Sequence, residues 1–130
     1  STVVVPKIQL TLQRVQFQQD AVSRASRELE STRNQITRTA DEQMNLSAEM
    51  KRAETLVAQE QDPLRRRDIE GRVTSLKATL EQLATVNAGY QAREAELAGR
   101  LNMERSRMEE LNERLNTLER ALDAQQPKQP

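Results

Sequence analysis

Three features of the sequence predict an all-α fold, a long antiparallel two-helix coiled-coil hairpin that associates into a four-helix dimer. Apolar residues keep a seven-residue beat through two runs of about fifty residues each. The break Asp62-Pro63 separates the runs. The charges change sign segment by segment, so that folding back at the break sets unlike charges together.

In the first run Ile8, Val15, Val22, Leu29, Ile36, Gln43, Met50 and Val57 recur every seven residues with one polar exception. In the second, Ile69, Leu76, Leu83, Tyr90, Leu97, Glu104, Leu111 and Leu118 interleave with Val73, Leu80, Asn87, Glu94, Leu101, Met108, Leu115 and Leu122. A helix turns once per 3.6 residues, so an apolar repeat of 3.5 keeps facing one partner only if the helices supercoil left-handedly. Alternation at period two is never sustained, which argues against strands. Composition agrees: 31% of residues are charged, 2% are aromatic and mean hydropathy is -0.84, leaving narrow stripes to bury rather than a globular core.

The boundaries follow from local chemistry. Residues 1–6, with Val3-Val4-Val5-Pro6, read as an extended lead-in whose proline opens the first helix. Helix one is expected over 7–61, a turn over 62–67 and helix two over 68–123. Within the turn, Asp62 is a good N-cap and Pro63 a good first helical residue. Residues 124–130 are a polar, proline-punctuated tail with no reason to fold. Each helix of about 52 residues rises ~78 Å, which predicts a rod.

Residues 1–38 carry net charge +3, 39–62 carry -4, 63–77 carry +3 and 78–122 carry -2. An antiparallel hairpin opposes plus to minus, whereas a parallel in-register dimer opposes like to like. Each exposed pair is worth only ~0.2–1 kcal/mol, so the pattern selects orientation more than it stabilises. The best register pairs residues whose numbers sum to 130: Ile8 with Leu122, Leu12 with Leu118, Val15 with Leu115, Val22 with Met108, Leu29 with Leu101, Met50 with Leu80, and Val57 with Val73. Small Ala40 then meets Tyr90, and Gln43 meets Asn87, amide against amide. Ile36 facing Glu94 and Ser26 facing Glu104 are the loose or wet layers of this register.

The absence of Cys and His removes disulfides, thiolate and imidazole metal ligands, the commonest general base and the usual nucleophilic triads. A two-helix rod also forms no convergent polar pocket. Carboxylate pairs such as Glu109 and Glu113 read as solvated helix faces. No enzyme, cofactor or metal function is therefore expected. No run approaches eighteen consecutive apolar residues, so no bilayer span is predicted. The chain begins at Ser1 rather than Met, compatible with removal of an upstream signal, anchor or tag.

Three surfaces are candidates for function. Arg65, Arg66 and Arg67 at the hairpin tip can bind phosphate, anionic lipid heads or an acidic protein patch, although Glu60, Asp62, Asp68 and Glu70 lie close enough to neutralise them. On helix two, Ala78, Thr85, Ala88, Gly89, Ala92, Ala95 and Gly99 form a small-residue face that lets another helix approach, the expected homodimer surface. On helix one, Ala25, Thr32, Thr39, Leu46 and Ala53 widen the seam, whereas Gln19, Ser26, Arg33, Ser47 and Glu54 leave its alternate positions thin. Leu10 and Phe17, one heptad apart and near Val3–Val5, are an outward docking patch.

The arginine file Arg72, Arg93, Arg100, Arg107 and Arg114 flanks the seam of helix two. It is expected to cover the seam and pair with glutamates rather than bind nucleic acid, since net charge is zero and stacking surface is almost absent.

In architecture alone the chain resembles the helical hairpins of periplasmic adaptor proteins, chaperone arms and membrane-associated scaffolds. No motif carries that resemblance residue by residue. The expected role is a structural or protein–protein interaction module acting as spacer, scaffold or oligomerisation element, with protein partners at the tip or N-terminal end. The alternative is an anionic-surface (membrane or phosphate) binding module using the tip arginines. Sixteen Arg to four Lys, with glutamine-rich stretches, leans towards a bacterial, extracytoplasmic origin.

Overall fold

A computed structural model describes residues 3–125. Two long helices, α1 (Val4–Gln59) and α2 (Pro63–Gln125), account for nearly all of them. They pack against each other antiparallel as a hairpin, with no strand among the described residues.

Helix α1 begins three residues earlier than the sequence suggests, so Val4, Val5 and Pro6 are helical rather than extended. The first four N–H groups of a helix have no intrahelical acceptor, so a proline in the first turn forfeits nothing. The first backbone bond runs from Lys7 N–H to the Val3 carbonyl at 3.3 Å, and Val4 is buried.

The turn is also shorter than 62–67. The α1 pattern of bonds closes with Glu60 N–H donating to the Leu56 carbonyl at 2.9 Å, and α2 opens with Arg66 N–H donating to the Asp62 carbonyl at 3.0 Å. Leu64 N–H donates to Asp62 Oδ1 at 3.1 Å. Asp62 is thus the N-cap and Pro63 the first helical residue, because the side-chain oxygen satisfies an orphan N–H and proline has none to satisfy. Arg65–Arg67 consequently occupy the first turn of α2, not a loop. No described residue takes a positive φ, so α1 ends without a left-handed glycine cap. Its terminal carbonyl at Glu60 instead accepts the Arg66 guanidinium, from Nε at 3.1 Å and Nη2 at 2.5 Å. Of the tail expected at 124–130, Ala124 and Gln125 are helical, and the remainder lies outside the described residues.

The described residues form two units, 3–29 with 96–125 and 30–95. In the first, Ala25, Leu29, Leu97 and Leu101 make a buried cluster flanked by Val22 and Ala98, with Leu97 only 1% exposed. In the second, Thr32, Thr39 and Ala53 are buried, while Ile36, Gln43, Leu46, Met50 and Val57 are half-buried, as are Ile69, Val73, Leu76, Leu80, Leu83, Asn87, Tyr90 and Glu94.

On α2 the observed seam follows the expected a/d ladder throughout. On α1 the heptad series from Ile8 to Val57 is also in the seam, but its alternate positions are Val4, Thr11, Gln18, Ala25, Thr32, Thr39, Leu46 and Ala53. Leu12 and Ala40, expected opposite Leu118 and Tyr90, face outward, and Leu12 is 45% exposed. The alternate row precedes the main row by four residues rather than following it by four. Threonine can occupy that row because its hydroxyl finds an acceptor on its own helix. Thr11 and Thr39 donate to the carbonyls of Lys7 and Gln35, each at 2.8 Å.

The amide layer forms as expected, with Asn87 Nδ2 donating to Gln43 Oε1 at 3.2 Å. The other weak layers recruit longer side chains. Arg33 Nε lies 3.4 Å from Glu94 Oε2. Glu104 accepts Gln18 Nε2 at its carboxylate, 2.7 Å, and at its backbone carbonyl, 2.8 Å. Ser26, half-buried, is not its hydrogen-bond partner.

Candidate interaction surfaces

Among the described residues no group of three or more His, Cys, Asp or Glu is placed to hold a metal ion, and no helix is long and apolar enough to cross a membrane. The candidate sites are therefore surfaces.

At the tip, Arg65, Arg66 and Arg67 are all exposed, but two are engaged within the chain. Arg66 caps α1, as described above, and Arg65 Nε lies 3.9 Å from Asp62 Oδ2. Arg67 has no ion pair among the described residues. Because consecutive residues point about 100° apart on a helix, the three guanidiniums diverge rather than converge on one ligand.

The small-residue face stands open. Ala78, Thr85, Ala88, Gly89, Ala92, Ala95 and Gly99 are all exposed, and a Cβ added at Gly89 or Gly99 would meet nothing within 4 Å. Neither glycine is required by the packing of the two helices.

The docking patch is exposed: Phe17 is 74% and Leu10 47% exposed, with Val3 at 54% in the same heptad series. Beside Phe17 lies a groove of about 340 Å³, floored by Gln18 and Leu111 and rimmed by Arg14, Arg107, Glu110 and Arg114. The groove residues were invisible as a set in the sequence, because they come from two helices about ninety residues apart. The signal that did exist was the spacing of Leu10 and Phe17.

The arginine file divides. Arg72 pairs with Glu49, Arg100 Nη1 lies 3.6 Å from Glu28 Oε2, and Arg107 Nη1 lies 3.0 Å from Glu104 Oε1. Arg93 and Arg114 have no ion pair among the described residues. These pairs are more than a third exposed on the arginine side, so they fix geometry and contribute little stability.

No protein-family model, curated protein or solved structure matches the chain.

Proposed function

We propose that this chain is a structural and protein–protein interaction module, a coiled-coil hairpin that spaces, scaffolds or oligomerises its partners and works as a homodimer. The observation that carries the reading is the pattern of burial. Between Val4 and Leu122 the covered side chains recur at alternating three- and four-residue steps on both helices, while long outward faces remain exposed. Such a periodicity is what a left-handed two-helix supercoil requires. Two helices cover only one stripe on each other, so a second layer is the economical way to cover more apolar surface. The open face around Gly89 and Gly99 supports that second layer, since small side chains let a facing helix come close.

Light scattering on the purified chain tests the reading. The expected mass is twice that of the 14.9 kDa chain. A concentration-independent monomer overturns the dimer, and arginine at Ala92 or Gly99 should return a dimer to the monomer mass while leaving helical circular dichroism intact.

The rival reading, an anionic-surface module at Arg65–Arg67, draws on the exposure of all three side chains. It is weakened by the engagement of Arg66 and Arg65. Sedimentation with phosphatidylserine-containing vesicles separates the two: binding that disappears when the three arginines become glutamine favours the rival.

A further inference from the structure

On the unit formed by residues 3–29 and 96–125, one side of α1 carries a second amphipathic stripe that the partner helix does not cover. Val3, Leu10 and Phe17 repeat every seven residues, and at 100° per residue they lie on a single flank of the helix, beside the seam rather than opposite it. The ridge opposite the seam is polar, with Gln9, Gln13, Gln16 and Asp20 all exposed. A second depression, lined on α1 by Ala21, Arg24, Ala25 and Glu28, lies about one heptad further along the same helix. From Arg14 to Glu28 the two depressions extend ~21 Å along α1, two heptads of a packed helix.

We propose that this groove is the docking site for an amphipathic helix of a partner protein whose apolar stripe is flanked by carboxylates. The charge around the groove decides the chemistry. Arg107 and Arg100 are neutralised by Glu104 and Glu28. Arg14, Arg24 and Arg114 have no ion pair among the described residues and face only Glu110 among carboxylates not already paired in the two depressions. An aromatic knob beside Leu111, with Arg14 and Arg114 on its rim and Arg24 in the next depression, fits a helix that offers a leucine-type side chain to Phe17 and glutamate or aspartate to the arginines. A second copy docking by the same flank would set Arg14, Arg24 and Arg114 against themselves. A membrane surface would have to admit the glutamine ridge together with Phe17. The proposal deepens the interaction-module reading and rests on it, but not on the dimer, because the groove belongs to a single hairpin.

The test is fluorescence anisotropy of the full chain with two labelled synthetic helices of three heptads. Both carry leucine at a and d; one has glutamate at the flanking positions and the other lysine. The glutamate peptide should bind, and about tenfold more weakly to Phe17→Ala and to the Arg14→Glu/Arg114→Glu double variant. Substituting these exposed side chains should leave the circular dichroism spectrum unchanged. No binding of the glutamate peptide, equal binding of both peptides, or undiminished binding to Phe17→Ala overturns the proposal. Light scattering on the same samples reads the other occupants: a dimer that Phe17→Ala dissociates assigns the groove to a second copy and overturns it. Capture by anionic vesicles lost in Phe17→Ala assigns the groove to membrane, with the same consequence. Failure of the dimer is read separately, as a monomer mass in a chain that still binds the glutamate peptide.

Discussion

Asn87 carries a conflict that no other described residue of the seam shows. Its amide nitrogen is satisfied by Gln43, but its Oδ1 is buried with no hydrogen-bond partner. A buried orphan acceptor costs ~1–3 kcal/mol, whereas replacing both members of a polar pair by apolar groups of similar size removes that cost. Leucine at both Gln43 and Asn87 should therefore raise the urea midpoint, by ~1–2 kcal/mol of stability. Unchanged or lower stability would mean that the amide pair is a net contributor. The expected loss is specificity: one polar layer penalises every register that sets it against leucine. Leu97 makes the opposite case, being 1% exposed within an apolar cluster. Leu97→Ala leaves a cavity with few atoms free to collapse into it, and ~2–5 kcal/mol should be lost in the same denaturation experiment. In a hairpin with so little interior, that is enough to unfold a large fraction of molecules at room temperature.

The end of α1 and the start of α2 rest on identifiable chemistry, which makes the bend testable on its own. Asp62→Ala removes the acceptor for Leu64 N–H and should cost ~1 kcal/mol, visible as a lower thermal midpoint. Asp62→Asn, which keeps a capping oxygen, should restore most of it. In the middle of α2, Gly89 and Gly99 expose backbone and add no contact. Alanine at either should stabilise the helix by ~0.5–1 kcal/mol, because it lowers the backbone entropy lost on folding and meets no neighbour within 4 Å. Should alanine instead destabilise the protein in proportion to its concentration, the glycines are held for a facing helix. The same pair of substitutions thus separates intrinsic helix propensity from a role in association.

For the whole molecule the decisive questions are connectivity and copy number. Leu29 and Leu101 share one buried cluster within the chain. Cysteines at these two positions, treated with a short bifunctional maleimide, should therefore link within one molecule, giving a faster-migrating monomer band under denaturing conditions. Bands at twice the mass, with no compact monomer, would mean that the helices pair between chains. The chain's formal net charge is zero, so no global repulsion keeps copies apart, and the proposed second layer and the proposed partner helix would use different residues, those of the small-residue face and those of the Phe17 flank.

The heptad beat, the Asp62-Pro63 break and the alternation of charge between segments were sufficient for the helical content, the position of the bend and the antiparallel sense. Each depends on residues close in sequence or on a repeated spacing. The α2 ladder was legible position by position because leucine dominates both of its rows. On α1 the alternate row was legible only in part: Thr11, Thr32 and Thr39 are polar by type, and only packing buried them, with the hydroxyls of Thr11 and Thr39 donating locally. Leu12 looked like core and was left outside for the same reason, since rotation of α1 about its axis is decided by the facing helix. The candidate surfaces divide in the same way. Leu10 and Phe17 announced themselves by spacing. Whether an arginine of α2 is spent on a glutamate of α1, as Arg100 is on Glu28, or left without an ion pair among the described residues, as Arg114 is, depends on which side chains the facing helix brings within 4 Å, and only the tertiary structure decides that.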